Sequence, residues 1–570
     1  MATKIYPPVY EEMSDWPIYK LSEDRKNFVQ EINQYTFEQL RKQSPQKIAD
    51  LIASVVYQER NRMREMPWKV DPPSDAQFWS KINKKLIREV DEKNPNDVQN
   101  NEELLLKVIN RYSEEIVGTF KIPTFQFARK FLGVFFSRIM NSASAQGFFR
   151  SVRRLIFGGT LQLFERFKVV GDIDHIRGLF KQGSVIIVPT HFSNLDSILV
   201  GYVMDSVLGM PASTYGAGLN LYNNGAPAYF MNRLGAYRID RRKKNSVYLE
   251  TLKAMSNLAI QRGVSSLFFP GGTRSRSGSL ETKLKMGLLG TAVEAQRAMF
   301  QKGEEKKVFI VPLVMSYHFV LEGQSLIEQY LRSEGKEKYT KGTQDEFYSL
   351  RSVSKFFWQF LAEDSELTLS FGKPMDVMGN FVNKDGVSHN KFGGDLDIKE
   401  YFMSNGQITS NLQRETEYTK ILSDKIVDRY FQENVVLSSH LIAFAVFKML
   451  ENHYEKLNIY SILRLDADDH IFPYDSVKNA VADLQKVLFA WEAEGKVKLC
   501  EQIHWQIDDL VKHGASEMGI YHISKPIEVK GNGNISSGNF ALLYFYHNRL
   551  MNYDLEKKVN WNKYKVEVKV

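Results

Sequence analysis

Hydrophobic and polar residues follow a helical pattern at both ends of the chain. From Leu21 to about Phe164, apolar residues recur at spacings of three and four among charged residues, and this periodicity predicts helices. Breaks near Pro67 and Asn94 interrupt the pattern. From Asp397 onward the pattern is helical again, with a shorter mixed region near the end.

The middle of the chain has short apolar runs that are mostly separated by helical stretches. Seven runs are predicted to be strands, namely residues 167–171, 185–188, 213–215, 236–239, 266–269, 308–311 and 367–370. Strands that alternate with helices indicate an α/β domain with a mostly parallel sheet. We therefore predict a helical region over residues 1–164, an α/β core over 165–380 and a mostly helical region over 381–570. A Gly- and Asn-rich stretch at 379–394 is predicted to be a linker or long loop.

Composition excludes several classes of protein. Hydrophobic residues make up 43% and charged residues 25% of the chain, which excludes a largely disordered or collagen-like protein. Lys and Arg number 75 against 67 Asp and Glu, and the net charge of +8 suits an anionic partner. Because this charge is dilute and no nucleic-acid-binding motif is present, we predict no nucleic-acid partner. The single cysteine, Cys500, cannot build a Cys-based zinc site and favours a reducing compartment.

Residues 125–167 combine aromatic and basic side chains with a single acidic residue, Glu165. Anionic lipid surfaces select helices of this kind. Alternatively, the helices pack on the α/β core with their arginines at its rim. No stretch reaches the roughly 18 apolar residues that a spanning helix needs, and residues 1–19 do not resemble a signal peptide. We expect a cytoplasmic protein that associates peripherally with an anionic membrane surface.

A histidine and an aspartate with four residues between them follow the second predicted strand: His191 and Asp196. Ligands of open α/β domains gather at the carboxyl ends of strands. An imidazole there can take a proton from a hydroxyl while the carboxylate fixes its tautomer. The spacing alone is not specific, because His470 and His504 share it without a preceding apolar strand. Ser193 and Asp196 also fit a helix capping box, a structural role that is compatible with the catalytic one.

Two further motifs carry positive charge. After the fifth predicted strand, Gly271 and Gly272 precede Arg274 and Arg276. Adjacent glycines let backbone N–H groups approach an anion, and paired arginines bind phosphate oxygens. A basic run that begins at Arg241 follows the fourth strand. Alone, each motif would fit a solvated turn or surface better than a binding site.

Together, the motifs resemble in order and spacing the four blocks of the glycerolipid acyltransferases, which include glycerol-3-phosphate and 1-acylglycerol-3-phosphate acyltransferases. The blocks contain His191 with Asp196, then Arg241, then Gly272 with Arg274, and then Pro312. The resemblance covers about residues 167–374, roughly a third of the chain. It implies an α/β acyltransferase core.

The resemblance also implies a role for each residue. His191 would be the general base that deprotonates the acceptor hydroxyl for attack on an acyl thioester, and Asp196 would orient it, with no acyl-enzyme intermediate. The implied substrate-binding residues are Arg241, Gly272, Thr273, Arg274 and Arg276 for the glycerol phosphate, and Pro312 on the acyl-donor side. No metal or cofactor is implied, and acyl-CoA or acyl-ACP (acyl carrier protein) would be a co-substrate.

The activity expected from this resemblance is acyl transfer to the sn-1 hydroxyl of glycerol 3-phosphate in phospholipid biosynthesis. Chain length and the run 275–278 favour this branch, whereas Pro270 and Thr273 favour the 1-acylglycerol-3-phosphate (lysophosphatidate) branch. Dihydroxyacetone phosphate is a further possible acceptor. A catalytically decayed, membrane-associated scaffold is the non-enzymatic alternative.

One position departs from the family pattern. Gly271 stands where the third block usually has a glutamate that is thought to help position the acceptor. A changed acceptor geometry, compensation by another carboxylate such as Glu281, and a weakened site are all compatible with this departure.

Overall fold

The computed structural model describes residues 4–42, 45–92, 97–141, 167–219, 222, 225–333, 366–519, 522, 524–531 and 533–569. Among the described residues, six α-helices precede the sheet: α1 (Pro17–Glu23), α2 (Arg25–Arg41), α3 (Pro45–Glu65), α4 (Asp75–Glu92), α5 (Asp97–Ile116) and α6 (Ile122–Asn141). Their apolar faces form one cluster; α2, for example, contributes Phe28, Ile32 and Leu40. The predicted helical character of this region is confirmed for the described residues.

Seven strands form the central sheet: β1 (Phe167–Val170), β2 (Gly183–Pro189), β3 (Thr214–Gly218), β4 (Ala236–Ile239), β5 (Ser266–Leu267), β6 (Lys307–Tyr317) and β7 (Leu367–Phe371). Their order is β1-β7-β6-β2-β5-β3-β4. Every pairing is parallel except that of β6 with β7. The predicted α/β core with a mostly parallel sheet is confirmed, and each predicted strand is present.

Helices on both faces cover the sheet: α7 (Ile173–Leu179), α8 (Asp196–Tyr202), α9 (Gly225–Met231), α10 (Ser246–Gln261), α11 (Met286–Gln301) and α12 (Gly323–Ser333). A π-helical turn, Val203–Val207, continues α8. Strands β2 and β6 are buried along almost their whole length, as expected for near-continuous apolar runs in a sheet covered on both faces. Because β2, β3, β4, β5 and β6 run in the same direction, the residues that follow them meet at one edge.

The described part of the C-terminal region contains six α-helices: α13 (Leu412–Glu433), α14 (Ser438–His453), α15 (Ile459–Ile462), α16 (Tyr474–Ala493), α17 (Ile507–Glu517) and α18 (Phe540–His547). Its strands are short: β8 (Phe381–Val382), β9 (Ser388–His389), β10 (Asp395–Leu396), β11 (Met403–Ser404), β12 (Gln407–Ile408), β13 (Val435–Val436), β14 (His470–Phe472), β15 (Lys498–Leu499), β16 (Glu528–Val529), β17 (Ile535–Ser536) and β18 (Glu567–Val568). Its apolar residues join those of the α/β domain in one continuous core.

The prediction of a linker or long loop at residues 379–394 is wrong. Strands β8, β9 and β10 form a small antiparallel sheet there. The side chains of Asn383 and Asn390 accept backbone N–H bonds within the two turns that join these strands. The Gly and Asn residues therefore make tight turns between paired strands.

No helix in the described part of the chain is long and apolar enough to cross a membrane. Of the aromatic and basic segment at 125–167, residues 142–166 lie outside the described residues.

Candidate active site

His191 and Asp196 form a hydrogen-bonded pair at the end of β2. His191 Nδ1 lies 2.9 Å from Asp196 Oδ2, and the same oxygen accepts the backbone N–H groups of Phe192 at 2.7 Å and Ser193 at 3.0 Å. The predicted capping box is wrong, since α8 begins at Asp196 with Leu195 as its N-cap. The aspartate instead reaches back and fixes the loop that carries the histidine.

The second oxygen of Asp196 is also occupied. Tyr317 Oη, at the end of β6, donates to Asp196 Oδ1 at 2.5 Å. Burial and the neighbouring carboxylate raise the pKa of Tyr317 well above its ordinary value, so it remains a donor. With Asp196 held in this way, Nδ1 of His191 carries the shared proton and Nε2 is left as an acceptor. The His191 side chain is 17% exposed, and its ring stacks on the Phe269 ring with centroids 4.0 Å apart.

Glu322 connects the histidine loop to the predicted phosphate site. Its carboxylate accepts hydrogen bonds from Ser193 Oγ and the Asn194 N–H, both at 2.9 Å, and from Arg274 Nη1 at 3.2 Å. Burial raises the pKa of Glu322, and the Arg274 charge together with the two loop bonds opposes that rise. One buried carboxylate thus holds Arg274 beside the loop of His191.

Two arginines lie close together on the acceptor side. Arg241 Nη2 donates to the carbonyl of Gly272 at 3.0 Å, a contact that Gly272 permits with its left-handed φ of +78°. Burial and the charge of Arg274 lower the pKa of Arg241, because two guanidinium groups repel each other. The N–H of Ser275 donates to the His191 carbonyl at 2.7 Å, which joins this loop to the dyad. A pair of neighbouring cations beside an imidazole is an arrangement that can bind the phosphate of a phosphorylated alcohol.

The remaining predicted residues lie further from the dyad loop. Thr273 and Arg276 are exposed on the loop that carries Arg274. Pro312 is buried inside β6, in register with Val188, and its carbonyl accepts the N–H of Gly372 at 2.8 Å. Pro312 therefore supports the sheet below its carboxyl edge.

The basic run after β4 is largely built into the fold. Arg242 is bound by Asp71 at 2.6 Å and Asp240 at 2.8 Å, and its guanidinium lies 3.8 Å from the Trp68 ring centroid. Lys243 pairs with the N-terminal region as well, through Glu115 at 2.5 Å. These contacts fix Arg241, the first residue of the run, next to the α3–α4 connection.

The sequence gives little local signal for two contributors from the C-terminal region. Arg549 is buried; its Nη2 donates to the Met315 carbonyl at 2.6 Å and to Ser316 Oγ at 3.0 Å, and its guanidinium lies 4.3 Å from the Phe192 ring centroid. Burial lowers the pKa of Arg549 to about 10. The neighbouring Asn548 donates to the Ser277 carbonyl at 2.9 Å. The short polar run at 547–549 does not by itself indicate these contacts.

The other two histidines with the same spacing have different partners. His470 contacts the Asp466 carbonyl at 2.7 Å and Tyr454 Oη at 2.8 Å. His504 pairs with Glu492 at 3.4 Å on the surface. Both lie in the C-terminal region, outside the α/β core.

The model of the Acyltransferase family matches residues 169–316, which lie within the α/β core. The predicted resemblance to the glycerolipid acyltransferases is confirmed. Relatives named glycerol-3-phosphate acyltransferase include one from Shewanella woodyi, 24% identical over 366 residues that span 63% of this chain and 40% of that protein. Those from Alteromonas mediterranea and Haemophilus ducreyi are each 30% identical over 190 and 217 residues, or 33% and 38% of this chain. The matched regions span only 22% and 24% of these two relatives, so this chain corresponds to less than half of each.

Proposed function

We propose that this chain transfers a fatty acyl group from an acyl thioester to the sn-1 hydroxyl of glycerol 3-phosphate, as a step of phospholipid biosynthesis. The observation that carries the proposal is the connection between the dyad and the cation: Glu322 binds both the His191 loop and Arg274. The names of the relatives favour the same acceptor.

In this mechanism His191 is a general base. Its Nε2 takes the proton of the acceptor hydroxyl as the hydroxyl oxygen attacks the thioester carbonyl carbon. Asp196 stabilises the imidazolium through the 2.9 Å bond to Nδ1. The tetrahedral intermediate then expels the thiolate, which takes the proton back from His191. Ester, free thiol and the starting protein are the products, and most of the acceleration comes from holding both substrates together.

The acceptor's phosphate would bind between Arg241 and Arg274, where an anion relieves the repulsion of the two guanidinium groups. Gly272 and Thr273 contribute loop backbone, and Arg276 adds charge at the exposed side. Acyl-CoA or acyl-ACP would be the donor, with no metal or other cofactor. No acyl-enzyme on Cys500 is proposed, because burial raises the pKa of its thiol to about 11.

The experiment supplies purified chain with a labelled acyl thioester and, in turn, glycerol 3-phosphate, 1-acylglycerol 3-phosphate and dihydroxyacetone phosphate. The expected product is 1-acylglycerol 3-phosphate from the first acceptor. Label appearing only with another acceptor would assign the chain to that branch, and absence of transfer to all three would support the scaffold alternative.

An anionic membrane surface is proposed as a partner of α6. Phe127, Phe131 and Tyr229 are each at least half exposed, and Phe127 stacks on Phe230 at 6.0 Å. Lys130 is exposed on the same helix. Aromatic and basic residues side by side favour anionic lipid. Vesicles with anionic lipid should float the protein at low salt, and a variant with Phe127→Ser and Phe131→Ser should remain behind; equal binding of neutral vesicles would reject the electrostatic part.

A further inference from the structure

Glu281 occupies the space beside Gly271. A Cβ atom at Gly271 would lie 3.0 Å from Glu281 Cγ and 3.1 Å from Glu281 Oε1. A side chain at position 271 would therefore have to displace the Glu281 side chain by a few tenths of an ångström, and Gly271 leaves its carboxylate undisturbed.

This carboxylate contacts the catalytic loop directly. Glu281 Oε1 accepts the backbone N–H of His191 at 3.1 Å. The other oxygen, Oε2, is buried and has no hydrogen-bond partner among the described residues. Buried side-chain oxygens nearly always have a partner, so an unpaired carboxylate oxygen next to a general base points to a ligand group.

The surroundings leave the carboxylate poorly solvated. Burial raises the pKa of Glu281, while the His191 N–H bond and the charges of His191 and Arg549 oppose that rise. The neighbouring Tyr430 hydroxyl is committed to the Val188 carbonyl at 2.9 Å. A hydroxyl that arrives with the substrate would give Oε2 the donor that it lacks.

We propose that Glu281 Oε2 binds the second hydroxyl of the acceptor and so makes the site selective for a phosphorylated vicinal diol. This inference rests on the proposed function. Arg241 and Arg274 would fix the phosphate and His191 the reacting hydroxyl, which leaves one hydroxyl of glycerol 3-phosphate for Glu281. An ionised carboxylate only accepts hydrogen bonds, so a ketone or an ester in place of that hydroxyl would leave Oε2 unpaired. Dihydroxyacetone phosphate and 1-acylglycerol 3-phosphate would both be disfavoured for this reason.

The affinities of two phosphate esters test the assignment of Glu281 without requiring turnover. The probes are glycerol 3-phosphate and 3-hydroxypropyl phosphate, which lacks the middle hydroxyl, titrated by calorimetry into the full chain. Glu281→Ala should weaken the affinity for glycerol 3-phosphate by about 10- to 100-fold, as expected for one hydrogen bond to a charged group. It should weaken the affinity for the analogue by less than about threefold. Equal weakening of both probes would show that Glu281 only supports the His191 backbone and would overturn the proposal, as would no weakening of either.

Moving the carboxylate sharpens the test. Gly271→Glu combined with Glu281→Ala places a new carboxylate in the vacated space and should recover at least about tenfold of the lost glycerol 3-phosphate affinity. No recovery would contradict the assignment. Glu294→Gln is the matched control, because burial also raises the pKa of Glu294 on α11. It should change neither affinity by more than about twofold.

Acyl transfer by the wild-type chain is measured separately. Coupling between Glu281 and the hydroxyl in binding, without any acyl transfer, would refute the proposed function and support this inference. Transfer to glycerol 3-phosphate without such coupling would refute this inference alone.

Discussion

The C-terminal region shares one continuous hydrophobic core with the α/β domain, whereas the N-terminal helices have a core of their own that includes residues of β4 and α10. The C-terminal region places Arg549 and Asn548 directly against β6 and the loop of Arg274. The N-terminal region contacts the acceptor side through ion pairs such as that of Asp71 with Arg242.

This difference assigns the two regions different tasks. The C-terminal residues are part of the scaffold that holds the dyad, although they lie far beyond the matched segment 169–316. Residues of the N-terminal region contact the end of β4, next to Arg241, from outside the α/β domain. Disruption of the C-terminal contacts should therefore damage both stability and turnover, and disruption of the N-terminal contacts should mainly weaken acceptor binding.

The largest effect is expected from Arg549→Met. Loss of the guanidinium leaves the Met315 carbonyl and Ser316 hydroxyl without their donor, which should cost about 2–4 kcal/mol of unfolding free energy. Displacement of β6 and Tyr317 should lower kcat by about 100-fold. Urea unfolding and steady-state kinetics measure the two effects. Arg429→Met, which removes an arginine over the Phe381 ring, is the control and should leave kcat within about twofold.

A pair of glycines isolates the contact between the loop of Arg274 and α18. Gly278 and Gly263 have similar φ values of +86° and +80°, but only at Gly278 would a Cβ meet another residue, 2.1 Å from the Phe545 carbonyl oxygen. Gly263→Ala should cost only the left-handed backbone term of about 1–2 kcal/mol. Gly278→Ala should cost about 1–3 kcal/mol more and reduce activity, as thermal unfolding and kinetics would show. Equal losses of stability in the two variants would mean that α18 moves away from position 278 at no cost.

A smaller effect is expected at the N-terminal contact. Arg242→Met removes the ion pairs with Asp71 and Asp240 and frees the strand end that positions Arg241. The KM for the acceptor should rise by about tenfold with little change in kcat, since the dyad is untouched. Arg262→Met removes pairs with the half-exposed Asp24 and Glu31 in the same interface and should leave KM unchanged. A fall in kcat for Arg242→Met would contradict the different tasks assigned to the two regions.

The smallest effect per side chain concerns mild acid. Burial lowers the pKa of His318 and of His547 to about 3 and that of His522 to about 4, and residues 1–174 contain no histidine. These groups are neutral when folded but take up protons below about pH 6.5 when unfolded, so stability falls as pH falls. From pH 7 to 6 each should cost about 0.5–1 kcal/mol. Hydrogen exchange, corrected for intrinsic rates, should accelerate in α14 and α18 but not in α2 and α5.

The strands and the dyad can be predicted from the sequence because both depend on neighbouring residues. Runs such as that of β2 are apolar throughout since both faces of the sheet are covered. His191 comes directly after such a run, whereas His470 and His504 do not. Strand direction then brings Arg241 and Arg274 to the same edge.

The rest depends on residues that are distant in sequence. Ser193 is not the N-cap of α8; its hydroxyl accepts the Leu195 N–H at 3.2 Å and donates to Glu322, 129 positions along the chain. Arg549 lies 234 positions from Met315, and nothing in its neighbourhood indicates that contact. Glu281 lies beside Gly271 because the loop between them folds back, and the sequence does not indicate this contact.

The central claim is that His191 is the base that activates the acceptor. The most direct measurement is the rate of acyl transfer from a labelled thioester to glycerol 3-phosphate by His191→Ala, with His504→Ala as the control that shares the same spacing. The account predicts a fall of about 10²- to 10⁴-fold for the first variant and a rate within about twofold of wild type for the second. Near-normal transfer by His191→Ala would contradict it.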